Sequence, residues 1–80
     1  MINKLNNNEL LTDEELNNLL FYVLKLDNNE ETFKITILLI QHEYYIYNNY
    51  YKKGQEQNKY LMILNKILRI CVNKLKEELK

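Results

Sequence analysis

The sequence predicts a small all-α domain: three helices, dominated by a long antiparallel hairpin with arms at about 29–53 and 56–78, and a shorter N-terminal helix at about 13–26. Three observations carry this. Apolar residues recur at three- and four-residue spacing over long stretches of the chain, the period of a helix with one buried face. Capping residues followed by acids stand at Thr12 and again at Asp27-Asn28. There is no Pro and a single Gly, Gly54, so nothing inside the long apolar segments interrupts a helix. Eighty residues suffice for one domain and not for two.

Residues 1–10 are weakly patterned, either loosely ordered or adding a short turn that docks through Ile2 and Leu5. The first helix opens at Leu11-Thr12-Asp13-Glu14-Glu15-Leu16. Thr12 can accept from the Glu15 backbone while the Glu15 side chain reaches back, a capping box, with Leu11 and Leu16 placed as a hydrophobic staple. The acids Asp13, Glu14 and Glu15 suit the positive end of the helix dipole. Leu16, Leu19, Leu20, Val23 and Leu24 form its apolar side, leaving Phe21 among polar neighbours. The second helix starts after Asp27 or Asn28, and Lys52, Lys53 and Gly54 carry the signature of its end.

The segment Thr32-Phe33-Lys34-Ile35-Thr36-Ile37 also alternates with period two and admits a strand, with Tyr44-Tyr45-Ile46-Tyr47 as a hairpin partner. Gln41-His42 lacks the Gly or Asn that a tight hairpin turn favours. On a helix, by contrast, Phe33, Ile37, Ile40, Tyr44, Tyr47 and Tyr51 fall within about 80° of one another. Helix is therefore expected, with this stripe facing the core. Ile35, Leu39, Ile46 and Tyr50 make a second stripe turned by roughly 130°.

The third helix is equally wide. Leu61, Leu64, Leu68, Cys71, Val72, Leu75 and Leu79 make one face, and Ile63, Ile67 and Ile70 extend it. A helix packed on one neighbour needs an apolar arc of roughly 100°. Both hairpin arms exceed this, so each is expected to touch two neighbours. Surplus contact surface is assigned to Phe21, Ile35, Leu39, Tyr45, Ile46, Tyr50, Ile63 and Ile70. Its expected occupant is a second copy in a twofold dimer, or a larger protein partner.

Catalytic chemistry is thin. His42 and Cys71 are single, there is no Ser, and no Gly-rich phosphate loop is present. A zinc site wants three or four ligands, and a nucleophilic Cys needs a base in reach. No catalytic, cofactor-binding or metal-binding residue is assigned, and an enzyme is not expected. One Cys excludes a disulfide scaffold and fits a reducing cytoplasm. No 18-residue apolar run exists and the first residues lack a signal peptide's apolar stretch, so no membrane association is expected. The 13 Asn and 10 Lys, with no Ala or Pro, read as codon usage of an AT-rich genome, and the Asn pairs as solvated surface.

Charge is zero overall but divided: residues 1–31 carry −5, residues 32–51 balance, and residues 52–80 carry +5. Lys59, Lys66, Arg69, Lys74 and Lys76 share the polar half of the third helix and are candidate phosphate contacts, the alternative reading being a nucleic-acid binder. A single Arg is sparse for that task. The leading expectation is a small non-catalytic helical protein acting through protein–protein contact, as inhibitors, adaptors and immunity-type factors do, including those of mobile elements.

Overall fold

A computed structural model describes residues 2–51 and 58–78, without the side chains of residues 51, 58 and 78. Among the described residues the chain is all helical: α1 (Ile2–Asn6), α2 (Asp13–Lys25), α3 (Asn29–Ile46), a π-helical turn (Tyr47–Tyr51) and α4 (Asn58–Glu78). The expected all-α domain with its helix hairpin is what forms, and the short N-terminal turn is present as α1, with Leu5 buried. The helix end expected at Lys52, Lys53 and Gly54 lies outside the described residues, as does Leu79.

Local sequence explains each boundary. α1 closes in a Schellman motif: Glu9 N–H bonds the Lys4 carbonyl at 2.9 Å and Asn8 N–H the Leu5 carbonyl at 3.2 Å. Asn8 sits in the left-handed region at φ 58°, which Asn tolerates better than other side chains bearing a Cβ. One Asn of the polar 6–8 run therefore has a structural task. Thr12 forms the expected capping box with Glu15, at 3.2 Å and 2.9 Å, and Leu11 and Leu16 are both buried. Of the two candidate caps for α3, Asn28 is used: its side chain accepts from Glu30 and Glu31 N–H at 2.9 and 3.2 Å.

The last turn before the α3–α4 connection departs from expectation. The α-helix stops at Ile46 and widens into the π turn, where Asn48 and Asn49 donate their side-chain amides to the Tyr44 and Tyr45 carbonyls, each at 2.9 Å. Those bonds occupy acceptors that a wider turn leaves under-used. They are a local alternative that Asn offers to the regular ladder.

α3 and α4 pack antiparallel, with Glu43 opposite Asn65 and His42 opposite Tyr60. α2 lies against α4, α1 against α3. Leu5, Leu16, Leu19, Val23, Leu39, Leu64, Ile67 and Cys71 belong to one continuous core.

The faces of α3 are reversed relative to the sequence reading. Ile35, Leu39 and Ile46 are buried together with Thr32, Thr36 and His42. Phe33, Ile37, Ile40, Tyr44 and Tyr47 of the six-residue stripe are exposed, and the Tyr51 side chain is not among those described. The physical reason is polar satisfaction. Burying the tyrosine stripe leaves phenol hydroxyls to be paired inside the core, at a cost of a few kcal/mol for each one unpaired. Both threonines of the buried face find partners nearby: Thr36 Oγ1 donates to the Thr32 carbonyl at 2.7 Å, and Thr32 Oγ1 to the Asn28 carbonyl at 2.9 Å. Residues 32, 35, 39, 42 and 46 also repeat at alternating threes and fours, the spacing of a helix–helix seam.

Candidate functional site

The uncovered side of the α3–α4 pair is the most distinctive surface of the molecule. α1 and α2 pack on one side of the pair; the other presents an apolar seam. Its α3 bank is Phe33, Ile37, Ile40, Tyr44 and Tyr47, with Tyr44 72 % and Phe33 56 % exposed. Leu61 and Leu68, half-buried on α4, join Ile40, Glu43, Tyr44 and Tyr47 around one shallow trough. A second trough continues over Leu61, Met62, Asn65, Lys66 and Arg69. Exposed apolar area that is contiguous, rather than scattered, is a candidate for contact with another molecule.

The seam is not purely apolar. Glu43 Oε1 accepts from Asn65 Nδ2 at 3.5 Å, and Asn65 Oδ1 accepts from Arg69 Nε at 3.0 Å. Glu43 Oε2 is buried and has no hydrogen-bond partner among the described residues. Glu43 lines its trough together with two exposed cations of α4, Lys66 and Arg69.

A second cluster is internal. His42 is fully buried, and its Nε2 lies 2.8 Å from the Tyr60 hydroxyl, which also accepts the Leu11 backbone N–H at 2.9 Å. If Tyr60 gives its one proton to Nε2, the neutral ring holds its own on Nδ1. The opposite tautomer leaves both the phenol proton and the Nδ1 lone pair unpaired, so the first is preferred. Nδ1 has no partner among the described residues. Burial holds the His42 pKa below its usual 6.5 and pushes the Tyr60 hydroxyl up. The cluster ties the α1–α2 connection to both hairpin arms. Neither ring lines the troughs of the seam.

Cys71 is fully buried in the core, and burial raises its pKa, with the Thr36 hydroxyl opposing. It packs within the core cluster with residues of α3 and α4. Among the described residues no group of three or more His, Cys, Asp and Glu side chains is placed to hold a metal ion. No helix there is long and apolar enough to cross a membrane.

The residues assigned as surplus surface divide into three sets. Phe21 (60 % exposed) and Tyr45 are at the surface, on α2 and α3. Tyr50 is half-buried in the π turn. Ile63 and Ile70 are half-buried against the core. Ile35, Leu39 and Ile46 are core residues, which corrects their assignment as outward surface. The seam that is open was missed because its members were read as core; the signal that points outward is the three tyrosines on the stripe.

The candidate phosphate contacts also divide. Lys59, Lys66, Arg69 and Lys76 are exposed. Lys74 is engaged: its ammonium donates to the Leu24 and Leu26 carbonyls at 2.9 and 2.6 Å, capping the C-terminus of α2. Nothing in the sequence alone brings those carbonyls, 50 and 48 residues away, to their cation.

Fold and surface together define a small all-α protein with a contiguous apolar seam on its helix hairpin. No family model, no curated protein and no solved structure matches the chain.

Proposed function

We propose that this chain is a non-catalytic interaction protein that docks through the α3–α4 seam, in the manner of a small inhibitor, adaptor or immunity-type factor. The observation that carries the reading is the row Phe33, Ile37, Ile40, Tyr44 and Tyr47, a helix face left uncovered although the same helix buries its opposite face in the core. Tyrosine suits such a surface, giving large contact area with few rotors to immobilise and a hydroxyl that stays satisfied in water before binding. A buried, raised-pKa thiol and no metal-ligand cluster among the described residues favour contact over chemistry. One free thiol fits a reducing compartment such as the cytoplasm.

The test is a photo-cross-linking residue at Ile40 in the native host, with Tyr44→Asp as the comparison. Covalent adducts lost with Tyr44→Asp, while the helical spectrum is kept, support docking at the seam. Adducts insensitive to Tyr44→Asp refute it. The nucleic-acid alternative now rests on Lys59, Lys66, Arg69 and Lys76, since Lys74 is committed to α2. Retention on duplex DNA or RNA that falls steeply with salt would favour it.

A further inference from the structure

Resting on the docking reading above, we infer that the occupant of the seam is a second copy of this chain, related by a twofold axis running parallel to α3 and α4, so that each α3 lies on the partner's α4. The inference comes from how charge is distributed between the two banks. On α3 stand Glu30 and Glu43, with Lys34 the cation of that helix, ion-paired to Glu30 at 3.9 Å; on α4 stand Lys66, Arg69 and Lys76. Glu77, an acid of α4, lies away from the seam in a trough with Asp27 and Lys74.

A face-to-face twofold pair of such hairpins can be built in two ways. With the axis perpendicular to the helices, α4 meets α4 and cations face cations. With the axis parallel to them, every residue keeps its height and meets the opposite bank. Asn65 bonds Glu43, so these two residues share one height, and Lys66 and Arg69 lie within about one turn of it. The parallel axis therefore brings the Lys66 and Arg69 of each chain to the level of the other chain's Glu43, twice per dimer. Thr32 and Glu77 line one trough, which sets Glu30 near the level of Lys76 in the same way.

Glu43 supplies the second observation. Its buried Oε2 lacks a donor among the described residues, while Arg69 donates from Nε to Asn65 and carries further donors on its terminal nitrogens. Because that oxygen is already enclosed by its own chain, a guanidinium of the second copy acts on the carboxylate by charge across the trough rather than by bonding Oε2. Arg and Lys stems crossing the tyrosine row also cover aromatic faces with methylenes, the usual way long cations line an apolar contact. A surface that carries an acid and a cation side by side can pair with its own copy, and Glu43 stands beside Lys66 and Arg69 on this seam.

The experiment uses the full chain and sedimentation equilibrium from micromolar to submillimolar concentration. The native chain is expected to dimerise. Glu43→Lys alone and Arg69→Glu alone are each expected to weaken self-association by at least ~10-fold, because each places like charges together twice. An equimolar mixture of the two variants should regain association to within about threefold of native. In the mixed dimer one contact keeps the native acid–cation pair and the other holds the same pair with its charges exchanged, so both are attractive. Repair inside a single chain cannot produce that recovery. If Glu43→Lys loses its helical spectrum, Glu30→Lys mixed with Lys76→Glu, both at exposed positions, carries the same test with a smaller change in the same direction. A native chain that remains a 9.8 kDa monomer throughout overturns the inference, as does a mixture no tighter than its components. If the chain is monomeric yet the Ile40 cross-linker still captures another protein and Tyr44→Asp abolishes it, self-pairing falls and docking stands. If both experiments fail, both fall.

Discussion

Tyr60→Phe removes one oxygen and should damage three segments at once. The hydroxyl accepts from Leu11 N–H and pairs with His42 Nε2, at 2.9 and 2.8 Å. Leu11 is buried and His42 fully so, which leaves neither group an easy route to water when the oxygen goes. A buried polar group stripped of its partner costs about 1–3 kcal/mol. Two such groups, with some relief from no longer desolvating the phenol, give a loss of about 2–4 kcal/mol. In a domain of this size that lowers the melting midpoint by roughly 10–25 °C, at about 4–8 °C per kcal/mol. The assay is urea and thermal unfolding at submicromolar concentration, where any self-association contributes least, with Tyr22→Phe as control because Tyr22 is exposed. Hydrogen exchange at Leu11 should accelerate in the same variant, since its N–H has lost its acceptor. A loss within about 0.5 kcal/mol of native, the range of an ordinary surface change, together with unchanged Leu11 protection, would falsify the three-way bond.

Other perturbations separate the faces and the charges. Leu39→Ala should cost about 2–5 kcal/mol and Ile40→Ala less than about 0.5 in dilute unfolding experiments, because Leu39 is 0 % and Ile40 50 % exposed; the reverse order restores the sequence-based assignment of faces. Lys74→Met should cost about 1 kcal/mol and speed exchange at the end of α2, by uncapping the Leu24 and Leu26 carbonyls; equal stability and exchange would remove that cap from the account. Acid should act in two stages. His42 is held neutral below its usual 6.5, so stability is full above 6.5 and falls as pH drops below it, because the unfolded chain takes a proton that the folded one refuses; the slope is at most about 1.4 kcal/mol per pH unit, and His42→Phe should flatten it. Glu15, lowered from 4.5 to about 2 by its bonds from Lys4 and the Thr12 N–H, adds stability above 4.5 that is lost as pH falls through 2, read as loosening of α1 by exchange at Leu5; an α1 indifferent to that range refutes the assignment.

Local chemistry along the chain is enough to set the helices. Thr12 and Glu15 cap within four residues of each other, Asn28 caps its own next turn, and the apolar period runs unbroken by Pro, so each signal survives whatever the helices later touch. Pairing of the two long helices was legible for the same reason: two apolar helices with a short connection fold back on each other. The task of Asn8 was not read from the sequence: residues 1–10 are weakly patterned, and only the fold shows which of three consecutive asparagines takes the positive φ.

Which side of α3 faces inward is settled by contacts between helices. Two stripes have the same helical period, and counting apolar residues favours the longer one. The outcome turns on polar atoms instead: His42 finds Tyr60 across the hairpin, the threonines bond back along their own helix, and Tyr44 and Tyr47 lie on the exposed side. Lys74 similarly looks like a free cation until the end of α2 arrives beside it. Periodicity reports that a face is apolar; whether it is buried depends on partners tens of residues away, because a buried polar group is stable only where the fold supplies its hydrogen bond.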